Sequence, residues 1–386
     1  MTDGAPPPGD AQPGDAHEAA WAELIARGVY DPTAPIAPQR RELLEHFLGG
    51  GAPVADIVQA FFEDRVDTTN TYRFLHGTDP WLDAATIAAR ANSTVERVER
   101  MVAAFGLPVA PAGEAAYAPS LAVSVEAFET GLALFGEAAT LQFVRVMGAA
   151  MTAIAEAGIG LFVHEVVEFS APVTELERAR SGEEATVAAM LIPEIVAATW
   201  RSIFLQANNR DIAQRRETPT GMAQDVAIGF VDLVDFTALS EQRSMQDVAQ
   251  VLVRFETQAW DLAAAHGARV TKFVGDEAMI VGADPDDVVQ VALGLCAMAH
   301  EDPDLVAARG AVTFGLVHHR NGDYFGPLVN LAARAVTVAR PGTVVVPDVV
   351  RRRLQSSPRV ETAALGAFDL RGFEEPIDLW QAASRA

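Results

Sequence analysis

Cysteine is almost missing from this sequence. The single Cys296 among 386 residues excludes an internal disulfide, suits a reducing compartment, and reads as a small core residue. Basic side chains are also scarce: 29 Lys and Arg stand against 52 Asp and Glu, a formal net charge of −23. That balance argues against non-specific nucleic-acid binding, which runs on cations, and disfavours docking on anionic lipid. Long apolar runs are absent too. The most apolar stretch, 146–163, is interrupted by Glu156, so no uncharged run reaches the length of a membrane span and no integral membrane segment is expected. The opening "MTDGAPPPGDAQPGDAHEAA" lacks the basic and apolar regions of a signal peptide and is rich in Pro, Gly and acid. It reads as a disordered tail over 1–19, ahead of a soluble, cytoplasmic protein.

What is present falls into two textures. Residues 20–205 carry Ala, Leu, Glu and Val at three- and four-residue spacing, which predicts an all-helical domain. A long helix is expected over 183–216, with Pro193 as a kink. The polar stretch "RRETPTGMAQ" breaks the pattern, and 206–223 is taken as a linker. From 224 to 386 strand-like and helical segments alternate. "DVAIGFVDLV" precedes a helix near 244–265, and "ARVTKFVGDEAMIVG" gives two strands with a tight turn at Gly275 and Asp276. A helix near 285–301 follows, introduced by acids at its N-terminus, then the strand "GAVTFGLVHH". A helix near 327–338, the strand "GTVVVP" and a last hairpin in "AFDLRGFEEPIDLW" complete the chain. The order predicts an α+β fold, a ferredoxin-like βαββαβ domain with additions, behind an all-α domain.

One residue is out of place in this scheme. Asp232 stands near the end of an otherwise apolar strand, where a carboxylate is costly unless paired. In a βαββ arrangement the end of the first strand and the turn at Asp276 can share one sheet edge. Two carboxylates about 4 Å apart repel by roughly 4 kcal/mol at an effective dielectric of 20, so they either share a proton or bind cations. Oxygen ligands without His or Cys suit Mg²⁺ or Mn²⁺ held jointly with substrate phosphates. Spacing alone also fits Asp232 and Asp235 as unrelated strand-end or helix-cap acids. Further on, Asn330 and Arg334 lie four apart in "GDYFGPLVNLAARAV" and share a helix face. Together they suit a ribose and a phosphate; alone, Arg334 also fits a surface ion pair.

Three segments taken together, "FVDLVDFTALSE", "TKFVGDEAMIVG" and "GDYFGPLVNLAAR", resemble the catalytic domain of class III nucleotidyl cyclases, in the family's order and within about residues 224–384. The resemblance implies a lyase that makes a cyclic nucleotide from a nucleoside triphosphate with two Mg²⁺ or Mn²⁺ ions per site. It implies that Asp232 and Asp276 bind the metals and that Lys272 and Asp323 read the purine. Asn330 would orient the ribose, and Arg334 would stabilise the reacting α-phosphate. A Lys donor and an Asp acceptor match N1 and the 6-amino group of adenine and mismatch guanine, so ATP and cyclic AMP are expected. Relatives that use GTP typically carry Glu at the Lys position. In this family each site forms between two catalytic domains, and one such domain here implies a homodimer. Arg320 and Arg371 are candidate triphosphate contacts, with ordinary surface arginines as the other reading.

The helical half preceding one such domain resembles acid-responsive actinobacterial adenylyl cyclases, in which the helical region regulates the catalytic dimer. His46, His76 and His164 are the candidates for pH sensing, because histidine titrates near neutrality. The apolar helices at 121–163, with Met147, Met151 and Phe162, fit either a lipid pocket or plain packing. Residues 84–107 read as helix, turn, helix, with Asn92, Ser93 and Thr94 available to cap the second helix. The mixed charge of "VERVER" favours a structural hairpin over a DNA reader. Rival functions are a diguanylate cyclase, since "VGDEA" is close to GGDEF but lacks the doubled glycine, and an idle sensor or scaffold.

Overall fold

Alternation along β1 (Ala223–Leu233) sets the layers of the C-terminal half. Ala227, Val231 and Leu233 enter one buried cluster and Ile228 and Phe230 another, so both faces of this strand are covered. The computed structural model describes residues 13–77, 79–162, 174–217 and 223–385. The chain divides into two compact units, one up to Ile203 and one from Phe204.

In the second unit, β1 lies between β3 (Glu277–Gly282) and β4 (Ala308–Arg320), antiparallel to both. The sheet extends through β2 (Arg269–Val274) on one side and through β6 (Val344–Pro347), β8 (Ile377–Ser384) and β7 (Val360–Phe368) on the other. The order β2-β3-β1-β4 is the ferredoxin-like arrangement predicted from sequence, with β6, β8 and β7 added beside β4. A short β5 (Asp323–Phe325), not foreseen, pairs with the end of β4. Two helices cover the face of Val231: α12 (Met245–Ala265), through Val251 and Phe255, and α13 (Pro285–Glu301), through Val288 and Leu295. The opposite face is covered by α14 (Pro327–Val338), through Ala332, Ala335 and Val336. Two short helices, α11 (Phe236–Gln242) and α15 (Asp348–Leu354), also escaped the sequence reading, because seven residues give too few turns for a periodicity.

The first unit is helical: α1 (Pro13–Ala26), α2 (Ala37–Gly49), α3 (Val54–Phe62), α4 (Thr69–His76), α5 (Ala84–Arg90), α6 (Val95–Ala104), α7 (Leu121–Phe135), α8 (Glu137–Phe162) and α9 (Glu175–Ala189). A tenth helix, α10 (Ile192–Glu217), crosses the division between the units. The core of the first unit is in two pieces. Leu24, Leu43, Leu44, Phe47 and Ile57 form one; Ile87, Val98, Met101, Val125 and Phe128 form the other.

Several sequence expectations are corrected here. Residues 13–19 are helical in α1 rather than part of a tail. The single helix expected over 183–216 is two helices. Pro193 sits in the first turn of α10, where its missing N–H costs nothing, so it starts a helix instead of kinking one. Residues 206–217, taken as linker, continue α10. Glu156 does not disqualify its helix as a span. Glu137–Leu161 and the stretch Glu175–Ile212 each contain a segment long and apolar enough to cross a membrane, by length and composition only.

Candidate active site

The C-terminal end of β1 carries the unusual acid. Asp232 pairs in register with Glu277 of β3 on one side and with Arg309 of β4 on the other, so three charged side chains stand in a row across neighbouring strands. Arg309 donates from Nε and Nη2 to Asp232 Oδ2 at 3.0 and 2.8 Å, and from Nη1 to the Thr337 carbonyl at 3.1 Å. Asp276 occupies the β2–β3 turn after Gly275, whose φ of 65° is a left-handed conformation that glycine adopts freely. The Leu233 N–H donates to the Asp276 carbonyl at 3.3 Å, which ties that turn to the end of β1. The structure therefore brings Asp232 and Asp276 to one sheet edge, as the spacing suggested.

Their electrostatics show crowding. Burial raises the Asp276 carboxyl above its ordinary value, with Asp232 adding to the rise while the Asp276 backbone amide and Arg309 oppose it. Glu277 is pushed up to about 7, first by burial and then by Asp232 and Asp276, against the pull of Arg309. A concentration of hard oxygen donors that raise one another's affinity for positive charge fits Mg²⁺ or Mn²⁺. Among the described residues no group of three His, Cys, Asp or Glu side chains is arranged to hold a cation unaided. Substrate phosphate oxygens would have to complete the coordination. Asp235 lies apart in role: it enters α11 in a left-handed conformation, at φ 58°.

A second group forms around β5. Lys272 Nζ donates to Asp323 Oδ2 at 2.5 Å, and the Tyr324 N–H donates to Asp323 Oδ1 at 2.8 Å. The fold thus brings together two side chains 51 residues apart in sequence. Lys272 is also the only lysine in the sequence; every other basic side chain counted among the 29 is an arginine. Asn330 and Arg334 follow on α14, both exposed and one turn apart. No ion pair holds Arg334 among the described residues, which leaves its guanidinium available. No hydrogen bond or ion pair joins this group to the Asp232–Asp276 edge among the described residues.

The basic residues expected at the triphosphate fare differently. Arg320 is exposed at the end of β4, opposite Asp323, beside a turn in which Asn321 and Gly322 both have positive φ. That is the pattern of a two-residue hairpin turn, and it explains why the segment is short. Arg371 is exposed in the β7–β8 loop. Sequence reasoning missed Arg309. Its signal was available: a charged residue opening the apolar strand "ARGAVTF", as anomalous as Asp232 and placed to answer it.

In the helical unit, His46 Nε2 lies 2.8 and 3.0 Å from the two carboxylate oxygens of Glu183, joining α2 to α9. Asn70 Nδ2 donates to the same Glu183 at 2.7 Å. His76 stacks on Trp81 with ring centroids 4.4 Å apart. His164 lies outside the described residues. Met147 and Met151 are exposed, so these two do not line an enclosed lipid pocket; the Phe162 side chain lies outside the described set. Thr94 caps α6 by accepting from the Arg97 N–H. Arg97 and Arg100 are tied to Glu129 and Glu137, which suits a structural hairpin.

No protein-family description matches the chain. An uncharacterised protein of Mycobacterium tuberculosis is 29% identical over 366 residues, 92% of each chain. An adenylate cyclase of Glutamicibacter nicotianae is 36% identical over 206 residues, 47% of this chain and 50% of that one. A pH-sensitive adenylate cyclase of Mycobacterium tuberculosis is 31% identical over 218 residues, 54% of each. Over 47–60% of its length the chain is similar to actinobacterial adenylate cyclases. Among solved structures, the adenylyl cyclase CyaB from P. aeruginosa matches at 20% identity and TM-score 0.38, covering 42% of this chain and 96% of that one. The two charged groups described above are the candidate site.

Proposed function

We propose that this protein is an adenylyl cyclase that converts ATP to 3′,5′-cyclic AMP and pyrophosphate. The ribose 3′-oxygen bonds to the α-phosphorus, the bond from that phosphorus to the bridging oxygen breaks, and pyrophosphate leaves. The observation that carries the reading is the Lys272–Asp323 pair: the chain's one lysine, on a sheet whose edge also holds Asp232 and Asp276. Two divalent cations, Mg²⁺ or Mn²⁺, would supply charge neutralisation and a more acidic 3′-hydroxyl when bound.

The residues of the chain do the rest. Asp232 and Asp276 would hold those cations. Arg309, already beside Asp232, offers a guanidinium that a triphosphate can draw toward itself. Lys272 donates to adenine N1 and Asp323 accepts from the 6-amino group. Asn330 fixes the ribose, and Arg334 acts where charge develops on the transferring phosphoryl group. Asn330 and Arg334 are one turn apart on α14; among the described residues neither is in an ion pair, and the two charged groups are not bonded to each other. A head-to-tail homodimer, in which the carboxylates of one protomer meet the purine group of the other, gives two complete sites. Arg371 stands as a further triphosphate contact. The helical unit is the regulatory one, and the His46–Glu183 contact is its candidate proton-sensitive joint, in a soluble cytoplasmic protein.

Cyclic AMP formation from ATP with Mn²⁺ or Mg²⁺, followed from about pH 5.5 to 8 for the whole chain and for residues 217–386, tests this. Cyclic AMP is expected from the whole chain, with a pH profile that changes on truncation. Cyclic di-GMP from GTP, or no cyclic nucleotide at all, would refute the reading. An unchanged profile and specific activity would remove the regulatory role.

A further inference from the structure

Strand β2 departs from regular pairing in one place. Its register shifts between Val270 and Lys272, leaving Thr271 as the extra residue of a β-bulge. The Thr271 hydroxyl is buried there without a hydrogen-bond partner, an arrangement that is unfavourable in itself.

The bulge changes which side chains face together. In a regular strand, residues three apart point to opposite faces. Here Arg269 stands opposite Val281 and Lys272 opposite Met279, and both of those partners belong to the cluster on the α14 side of the sheet. Val270, opposite Ile280, belongs to the cluster on the other side. Arg269 and Lys272 are thus on one face, and both reach β5. Lys272 meets Asp323. Arg269 Nη2 donates to the Tyr324 hydroxyl at 2.5 Å, with its guanidinium 5.4 Å from the ring centroid. Tyr324 is 5% exposed, and His319, its register partner on β4, packs against its ring at 4.9 Å. The N–H of that same Tyr324 holds Asp323 Oδ1.

We infer that Arg269 and Tyr324 are positioning residues for nucleobase recognition, locking Asp323 beside Lys272 and so setting the preference for ATP over GTP. The inference rests on the cyclase reading above. It assigns neither residue a contact with the base. Arg269 anchors the Tyr324 ring, the anchored residue's backbone amide orients one Asp323 oxygen, and the other oxygen is left to Lys272 and the substrate. Two strands distant in sequence are thereby fixed in register at the point where a shift of an ångström would misalign donor and acceptor.

The test uses the full-length protein with Tyr324→Phe, Arg269→Gln, Arg269→Lys and, as a reference, Lys272→Ala. KM and kcat are measured separately for ATP and GTP. Because Lys272 is the only lysine, amine-reactive labelling of its side chain with and without ATP gives a second readout independent of turnover. Tyr324→Phe and Arg269→Gln are expected to raise KM for ATP more than they lower kcat. Both should cut the ATP-to-GTP ratio of kcat/KM by about tenfold, the size of one lost hydrogen bond, and weaken ATP protection of Lys272 in parallel. Arg269→Lys should recover part of the ratio. If both variants keep the ratio within twofold while Lys272→Ala lowers it, the positioning role is wrong and the base assignment stands. If Lys272→Ala also leaves the ratio unchanged, the base assignment falls and takes this inference with it. A loss confined to kcat, with the ratio kept, marks a general structural effect and also overturns it. Should Arg269→Gln fail to fold, Tyr324→Phe, which removes one oxygen, decides alone.

Discussion

The two units of this chain are finished in different senses. The unit from Phe204 onward buries both faces of its central strands under helices, yet the groups proposed for catalysis fall into two sets that, among the described residues, are not bonded to each other. The unit before it has a divided core and leaves large apolar side chains outside, among them Phe135 at 72%, Leu161 at 66% and Ile159 at 64% exposure. One unit is complete in packing and divided in chemistry. The other carries little chemistry of its own, and its polar contacts fasten helix to helix. Substitutions in the two should therefore fail by different routes: loss of turnover with the fold retained in one, loss of fold in the other.

The largest effect should come from Asp276→Ala. Cyclic AMP production is expected to drop by at least a hundredfold, in the range seen when one charge-stabilising group is lost from a reacting centre. Thermal stability in metal-free buffer should hold or rise, because a carboxylate crowded by Asp232 has been removed. A parallel collapse of melting temperature and activity would mean that the edge is structural, and the contrast between the units would fail.

Gly148→Ala probes the other side. A methyl group there would meet the Phe105 carbonyl oxygen at 2.3 Å, and backbone cannot swing aside as a side chain can. Overpacking of that kind costs about 1–3 kcal/mol. Calorimetry should show the melting of the helical unit shifted down. An unchanged transition would show that α8 moves freely relative to the segment after α6.

The smallest effect is the pH dependence that Glu277 imposes. Its carboxyl is raised to about 7 in the folded protein, above the ordinary value near 4.5, so folding takes up a proton. The stability it contributes is fully present below about pH 4.5 and is lost as pH rises through about 7. Urea midpoints of the metal-free protein at pH 5 and 8 should differ in that direction, and Glu277→Gln should reduce the difference. An equal difference in that variant would assign it to other groups.

Legibility in the sequence followed the same division. The sheet of the second unit was readable because its periodicities switch cleanly at turn residues. The starts of α12, α13 and α14 were marked by Ser244, by Asp284 with Pro285, and by Gly326 with Pro327. Asp232 and Asp276 could be named because each is polar where its neighbours are apolar or turning; Lys272 and Asp323 were named only through the resemblance to class III cyclases. Arg309 was missed although it opens an apolar strand, and Arg269 could not be named, because an arginine on a strand looks like a surface residue until its register partner is known. The bulge at Thr271 left no trace in composition, and it alone decides that Arg269 and Lys272 share a face. In the helical unit, periodicity located helices but not their ends. Pro193 was ambiguous between kink and start, and helix propensity ran through the stretch assigned to a linker.

A protein with twenty-eight guanidinium groups and a solitary ε-amine has an odd vulnerability. Reagents that acylate or cross-link amines normally scatter over a surface and do little harm. Apart from the α-amino group, they have one target on this molecule, the side chain paired with Asp323. On the proposed reading, acylating that side chain should silence the protein, and a single mass shift on it will report how much of the sample has been lost.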